Sequence, residues 1–404
     1  MSATPKIAII ADDLTGAMDT AAPFAKRGAH TRVLLAETPS AEALMSAPEI
    51  VAVSTESRHL DPIRAIQRVH QAMAGFEDRI PFKKIDSTLR GNIVAETLAT
   101  MEASGRRHLL ITPAFPGQGR VLRNGEVFVH GVPLQDTAIA RDALSPPLRM
   151  PLALAYSGKL GVVVHEAGCP AELKLAGGPE FHIYVVDSES DDDLLHIARF
   201  ALTYRDEVVL AGAAGLGTAL ASFIYGAPLS LKLNGTVGPV LYIVGSRTPQ
   251  SAAQLEQIAD QGAPVIVVES QDGLLNVERA MQQCRVQTGE QNAYVLTVRQ
   301  KGNVVVDANL VAQSLAILSV ELVDQVNAES IVVTGGDTGQ ALLRQFKLDA
   351  LNLAGEIFPG IALGLFQHGK RTIRFSTVNM GAVIFCITPS VNLQTMPDLQ
   401  NHRP

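Results

Sequence analysis

At 404 residues the chain is longer than one ordinary core supports, which indicates two or three domains. A hydrophobic share of 47% against 18% charged residues, with a mean hydropathy of +0.18, excludes a largely disordered chain. A net charge of −7, no Trp and 5% aromatic residues leave neither a basic field for a nucleic-acid backbone nor stacking platforms for bases.

Along the chain, short β-branched runs alternate with Ala-rich stretches, the pattern of βαβ units on a parallel sheet. Lys6–Ala11 reads as a strand buried on both faces. Asp12 and Asp13 end this apolar run, so it is not expected to be a signal peptide. A helix over Ala17–Arg27 follows, with Gly28 as its left-handed cap. Strands are expected at Thr31–Leu35 and Ile50–Ser54, then a helix over Pro62–Ala74. Phe82–Ile85, His108–Thr112, Val162–Val164 and Ile183–Val186 read as further strands. Helix Asp191–Ala201, strand Glu207–Ala211 and helix Leu216–Ile224 complete a first series. Ser230–Gly238, Gly-containing and without periodicity, is the expected linker.

A second series runs through strand Pro239–Gly245, helix Pro249–Gln261, strand Pro264–Val268, helix Asn276–Gln287 and strand Ala293–Val298. Helix Leu310–Val326, strand Ile331–Thr334, helix Gln340–Phe346 and strands near Ile373–Phe375 and Ala382–Ile387 follow. The tail from Thr388 reads as a loose or packed-over extension. The expected fold is therefore α/β: two Rossmann-like three-layer domains, 1–235 and 236–404, with mostly parallel sheets and an active-site cleft between them. No stretch reaches about 18 uninterrupted apolar residues, so no membrane span is expected. Cys169, Cys284 and Cys386 lie far apart and form no CxxC pair, which fits a reducing cytoplasm better than a disulfide framework or zinc knuckle.

Ligands of such sheets collect beyond the carboxyl ends of the strands. Ala11-Asp12-Asp13-Leu14-Thr15-Gly16 places two adjacent carboxylates at one strand end, and one of them is as readily a helix cap as a functional group. Lys83-Lys84-Ile85-Asp86-Ser87-Thr88-Leu89-Arg90-Gly91-Asn92 ends another strand in a dense set of donors. There the Arg fork suits a carboxylate, the hydroxyls and Asn suit a polyol, and Gly91 admits close backbone approach. Arg58, after Ile50–Ser54, adds a second guanidinium. The segment from Pro113 to Arg120, continuing to Leu134, reads as a long binding loop or lid. Ala211–Gly217 resembles a phosphate-cradling turn but has neither GxGxxG nor P-loop spacing, and close helix–strand packing explains it better. In the second half, Gly245-Ser246-Arg247-Thr248 and Thr334-Gly335-Gly336-Asp337-Thr338 each join a strand to a helix, where free N–H groups suit an anion.

Together, Asp-Asp-Leu-Thr-Gly-Ala, Lys-Ile-Asp-Ser-Thr-Leu-Arg-Gly-Asn, Pro-Ala-Phe-Pro and Gly-Gly-Asp-Thr resemble the four-carbon acid sugar kinase family, in the family's order over about residues 5 to 386. The resemblance implies an N-terminal sugar-acid domain, a C-terminal nucleotide domain, and transfer of the ATP γ-phosphoryl group to the 4-hydroxyl of a tetronate. It is closer to the threonate/erythronate branch than to the 3-oxo-tetronate branch. Carried over by motif, Asp12, Arg58, Lys84 and the loop Asp86, Ser87, Thr88, Leu89, Arg90 and Asn92 would hold substrate, with the Arg pair neutralising its carboxylate. Ser246, Gly335, Gly336, Asp337, Thr338 and Gly381 would hold ATP, with Mg²⁺ as its metal and no protein ligands assigned to it. The base stays open among Asp12, Asp86 and Asp337. Ser376–Gly381 departs from the family's Lys-Ser-Gly-Gly-Phe-Gly-like turn. This leaves a non-catalytic sugar-acid sensor as a rival, while an oxidoreductase using Gly212–Gly217 is disfavoured by spacing. The expected partners are a small sugar acid and ATP, with no nucleic acid and no membrane. A cytoplasmic homodimer is the expected assembly.

Overall fold

The computed structural model describes residues 4–35, 48–141, 146–230, 238–245, 255–256, 258–260, 262–271, 274–287, 291–301 and 306–378. The chain divides into two compact units, residues 1–231 with 348–364, and residues 232–347 with 365–404. The expected boundary at 235/236, most of the expected linker, Ser246, Gly381, strand Ala382–Ile387 and the tail lie outside the described residues.

In the first unit the strands are β1 (Ile7–Ala11), β2 (Thr31–Leu34), β3 (Ile50–Ser54), β4 (Ile80–Lys84) and β5 (His108–Thr112), with β6 (Arg120–Arg123), β7 (Glu126–Val129) and β8 (Val132–Pro133) following. Then come β9 (Val162–Ala167), β10 (Phe181–Val186) and β11 (Val208–Gly212). Eight of them form one parallel array in the order β2-β3-β1-β4-β11-β5-β10-β9. Ala350–Phe358 closes the β2 edge in antiparallel register. The central strands β1, β3, β4, β5 and β11 are buried at every position, as the unbroken apolar runs of β1 and β11 require of a sheet covered on both faces. Ala8, Ile10, Val51 and Val53 pack against Val69, Ala72 and Met73 of helix Pro62–Met73. Leu109, Ile111, Ile183 and Val209 pack with Met101, Leu152 and Tyr156. Helix Leu14–Ala25, nearly all buried, packs on helix Ala214–Tyr225.

The expected α/β alternation is thus found, with sharper ends. The first helix starts at Leu14 rather than Ala17, because the Asp13 side chain accepts from Gly16 N at 2.7 Å and caps it there. Helix Ile93–Ser104 was not expected. It buries Glu96, Thr97 and Thr100 along with apolar groups, so it lacks the amphipathic period that marks a surface helix. The expected long loop after β5 is an ordered antiparallel sheet of β6, β7 and β8. The Gly-rich turn before helix Ala214–Tyr225 serves packing: a Cβ on Gly215 would meet Ala114 O at 3.0 Å, and one on Gly217 would meet Thr20 Cγ2 at 2.7 Å.

In the second unit β12 (Val240–Val244), β13 (Val265–Gln271), β14 (Leu274–Leu275), β15 (Ala293–Lys301) and β16 (Ser330–Thr334) run in the order β14-β13-β15-β12-β16. All pairings there are parallel except β13 with β14. Arg371–Val378 adds a parallel strand beside β16. Helix Ala308–Gln325 packs on helix Gly336–Gln345.

Candidate active site

The chain leaves β1 for β2 and β3 on one side, then crosses to β4 on the other, so the carboxyl ends of β1 and β4 form the topological switch point, where ligands of such sheets bind. Asp12 and Asp13 follow β1, Thr55 to Arg58 follow β3, and Asp86 to Asn92 follow β4. Parallel pairing of β1 with both β3 and β4 places the three motifs at one sheet edge.

Two guanidinium–carboxylate clamps organise this edge. Arg58 donates Nε to Asp12 Oδ2 at 2.7 Å and Nη2 to Asp12 Oδ1 at 2.9 Å, while its Nη1 lies 2.7 Å from Asp13 Oδ2. Arg90 donates Nε to Asp86 Oδ2 at 2.8 Å and Nη2 to Oδ1 at 2.9 Å. Asp86 Oδ2 also accepts from the Thr88 hydroxyl and from Thr88 N at 3.2 Å. Burial opposes ionisation of Asp12, but Arg58, with Lys83 and Lys84 beyond it, overcomes that and holds the carboxyl below its ordinary range. Asp86 is likewise buried, and Arg90, Arg58 and Lys84 hold it well below the usual carboxylate range. Both forks expected to receive a substrate carboxylate therefore close on the protein's own carboxylates.

Gly91 stands between the clamps at φ +88, and a Cβ there would lie 3.1 Å from Asp12 Oδ2. Only glycine combines that backbone with that approach. Leu89, also at positive φ (59°), turns its side chain into the core beside Leu122 and Leu134, so only its backbone remains for a ligand. Asn92 donates Nδ2 to Ser57 O at 3.1 Å and Leu60 O at 2.8 Å, which ties the β4 loop to the β3 loop. Lys84 is buried and donates Nζ to Ile85 O at 2.8 Å. Ser87 is half-buried on the same loop.

Beneath the clamps runs a network that motif reading missed. Lys83 Nζ lies 2.7 Å from Glu96 Oε2, and Glu96 Oε1 accepts from Ser57 Oγ at 2.8 Å. Ser57 Oγ lies 2.6 Å from Thr55 Oγ1, which donates to Ala11 O at 2.9 Å. Lys83 stood within a quoted motif, but nothing in the sequence linked it to Glu96, which comes from the unexpected helix.

In the second unit Gly335 sits at φ +97 and caps helix Gly336–Gln345 without a side-chain hydrogen bond among the described residues, the arrangement of an anion-accepting helix start. Thr338 is buried, and a Cβ on Gly245 would lie 2.4 Å from its Oγ1. The ends of β12 and β16 thus bring Gly245 beside Thr338. Asp337 is exposed in the first turn of that helix.

Two α/β units, each with polar loops at the carboxyl ends of parallel strands, define a two-domain ligand-binding protein. Family models agree: a sugar-binding N-terminal domain matches residues 7–220 and a nucleotide-binding C-terminal domain matches residues 241–385. The chain belongs to the four-carbon acid sugar kinase family. It is 29% identical to a D-threonate kinase of Salmonella typhimurium over 90% of this chain and 92% of that one. Proteins of the same name from Bordetella bronchiseptica (31% identity, covering 91% of each chain) and Cupriavidus necator (32%, covering 88% and 89%) are similar to it. Among solved structures, a Salmonella typhimurium protein matches with TM-score 0.72 at 20% identity, covering 93% of this chain and 96% of that one. A Haemophilus influenzae protein matches with TM-score 0.66 at 19% identity, covering 92% and 96%. These two share the fold.

Proposed function

We propose that the protein transfers the γ-phosphoryl group of ATP to the 4-hydroxyl of a four-carbon sugar acid, D-threonate first and D-erythronate second. The observation that carries this reading is the convergence of Asp12, Arg58, Lys84, Asp86 and Arg90 at the β1/β4 switch point. Support for the substrate order comes from relatives: those named D-threonate kinase are 29–32% identical, one named D-erythronate kinase 26%, and those named 3-oxo-tetronate kinase 23–26%.

In this reading the first unit holds the acid and the second the nucleotide. Asp12 takes the accepting hydroxyl. Asp86 Oδ2 already accepts from Thr88 and Arg90, with Arg90 also on Oδ1, whereas each Asp12 oxygen accepts a single bond, from Arg58, among the described residues. Phosphoryl transfer through a loose transition state demands orientation more than early proton removal, so a carboxylate kept ionised by Arg58 can align the hydroxyl and receive its proton late. Ser87, Thr88 and the backbone of the Leu89 turn address the remaining hydroxyls. Gly335, Gly336 and Thr338, with Ser246 and Gly381, hold the phosphates, and Asp337 orients the nucleotide or its metal. Bound ATP supplies the transferable group. Mg²⁺ fits as an ion carried mainly on the phosphates, since no cluster of three His, Cys, Asp or Glu side chains able to hold a metal occurs among the described residues.

The test is ADP release, coupled to a reporter, with D-threonate, D-erythronate, their L forms and 3-oxo-tetronates, with and without Mg²⁺. Metal-dependent release led by D-threonate supports the reading. Acid binding without any ADP release would make the protein a sensor.

A further inference from the structure

Near the clamps stands a further guanidinium, to which no motif gave a role. Arg120 opens β6 just after the Pro113–Gly119 turn, which leaves β5 at the same carboxyl edge as the clamps. Its backbone is fixed on both sides: Phe115 N donates to Arg120 O at 2.8 Å, and Arg120 N donates to Phe115 O at 3.1 Å. Arg120 also pairs with Val129 across the small sheet. Its Nη1 donates to the neutral Gln118 Oε1 at 2.6 Å, and its Nε is buried without an acceptor. It lies in the fields of Asp86, Arg90 and Asp19 yet makes no ion pair among the described residues.

This contrasts with Arg58 and Arg90, whose Nε–Nη2 edges are occupied by Asp12 and Asp86. The corresponding edge of Arg120 has no partner among the described residues. A largely buried guanidinium with no carboxylate in direct contact is costly; its Nε is closed to solvent while Nη2 is not, so a ligand carboxylate on Nη2 would supply a charged acceptor that the protein does not. We infer that Arg120, rather than either clamp arginine, takes the C1 carboxylate of the substrate and makes the site select an acid. Lys84, a second cation at this edge without a carboxylate contact among the described residues, adds charge from the β4 side. The inference rests on the tetronate-kinase reading and names the residue that sets its substrate class.

The experiment compares full-length wild type, Arg120→Gln and Arg120→Lys by steady-state ADP release with D-threonate, and by competitive inhibition with the neutral C1 amide of the same acid. Arg120→Gln should raise the KM for the acid about 30-fold or more, the expected loss for one partner of a buried charged contact. Its kcat, its KM for ATP and the Ki of the amide should each stay within about threefold of wild type, because the change removes only binding of the carboxylate. Arg120→Lys should recover part of the loss, an ammonium keeping the charge without the fork. Should Arg120→Gln prove unstable, the Lys variant carries the same test through its KM for acid against its Ki for amide. An unchanged KM for acid, or equal losses for acid and amide, overturns the inference. Absence of tetronate phosphorylation by wild type overturns the kinase reading instead.

Discussion

Replacing Lys83 by Met is expected to destabilise the first unit by about 3–5 kcal/mol, the cost of removing one partner from a buried ion pair. The Lys83 and Glu96 side chains are 1% and 2% exposed and meet at 2.7 Å. Lys83 Nζ also donates to Ile10 O at 3.1 Å and Lys84 O at 3.0 Å. Met nearly preserves the stem, so little cavity opens and the cost is electrostatic. Glu96 would keep only the Ser57 hydroxyl at 2.8 Å. Burial already pushes the Glu96 carboxyl above its ordinary range, with Lys83 opposing; without Lys83 it rises further. A carboxyl whose folded pKa is raised binds its proton more tightly folded than unfolded. Stability is then full below the ordinary carboxylate range and is lost as pH rises through the raised value. The deficit of the Lys83→Met variant should therefore widen from about pH 5 to about pH 8, by at most about 1.4 kcal/mol for each step of one in pH. Thermal unfolding of the full chain reads it: at about 2–4 °C per kcal/mol for a domain of this size, the Tm should fall by roughly 6–20 °C. A Lys83→Met, Glu96→Leu double variant should recover more than half, because apolar replacement of a buried pair is nearly neutral. A Tm change below about 2 °C at pH 8, or strictly additive single losses, would refute the reasoning.

Further expectations concern both units. Gly91→Ala combines a left-handed backbone with a Cβ 3.1 Å from Asp12 Oδ2; it should lower stability by about 1–2 kcal/mol and kcat at least about tenfold, and unchanged turnover would detach Asp12 from the reaction. Gly335→Ala, at φ +97, should cost about 1–3 kcal/mol and raise the KM for ATP while calorimetry with D-threonate stays unchanged; an unaltered ATP titration would move the nucleotide elsewhere. On β5 and β10 His108 stacks on His182, and His165 of β9 lies tilted against His182 with its Nε2 3.1 Å from His182 Nδ1. Burial, then the charge of His182, lowers the pKa of both His165 and His108, with Glu207 opposing at His108. Because those folded pKa values are depressed, this stability is full above the ordinary histidine range and is lost as pH falls below it; Tm should drop on acidification toward about pH 5.5, and His165→Gln should flatten the slope.

The alternation of apolar runs with helical stretches was enough to establish two α/β units, because strands buried on both faces leave continuous β-branched runs that local reading detects. Strands β3 and β5 fall on their expected residues, and the motifs after β1, β3 and β4 were legible because Gly, Asp and Arg at a strand end are exceptional locally. Tertiary structure decided what those groups do with one another. That Arg58 closes on Asp12 and that Asn92 ties two loops depend on β1 lying between β3 and β4, a non-local pairing no window reveals; Lys83 reaches Glu96 only because helix Ile93–Ser104 packs back on β4, whereas Arg90 closes on Asp86 within one loop. The same holds for Ala350–Phe358, distant in sequence yet paired with β2, and for helix Ile93–Ser104, whose buried polar face hides its period. Arg120 is the clearest case: in sequence it is one more charge after a proline-rich turn. Only packing shows its Nε to be buried, its backbone anchored and its charge unmatched by a carboxylate, since counter-charge and solvent exclusion belong to the folded surroundings rather than to the residue.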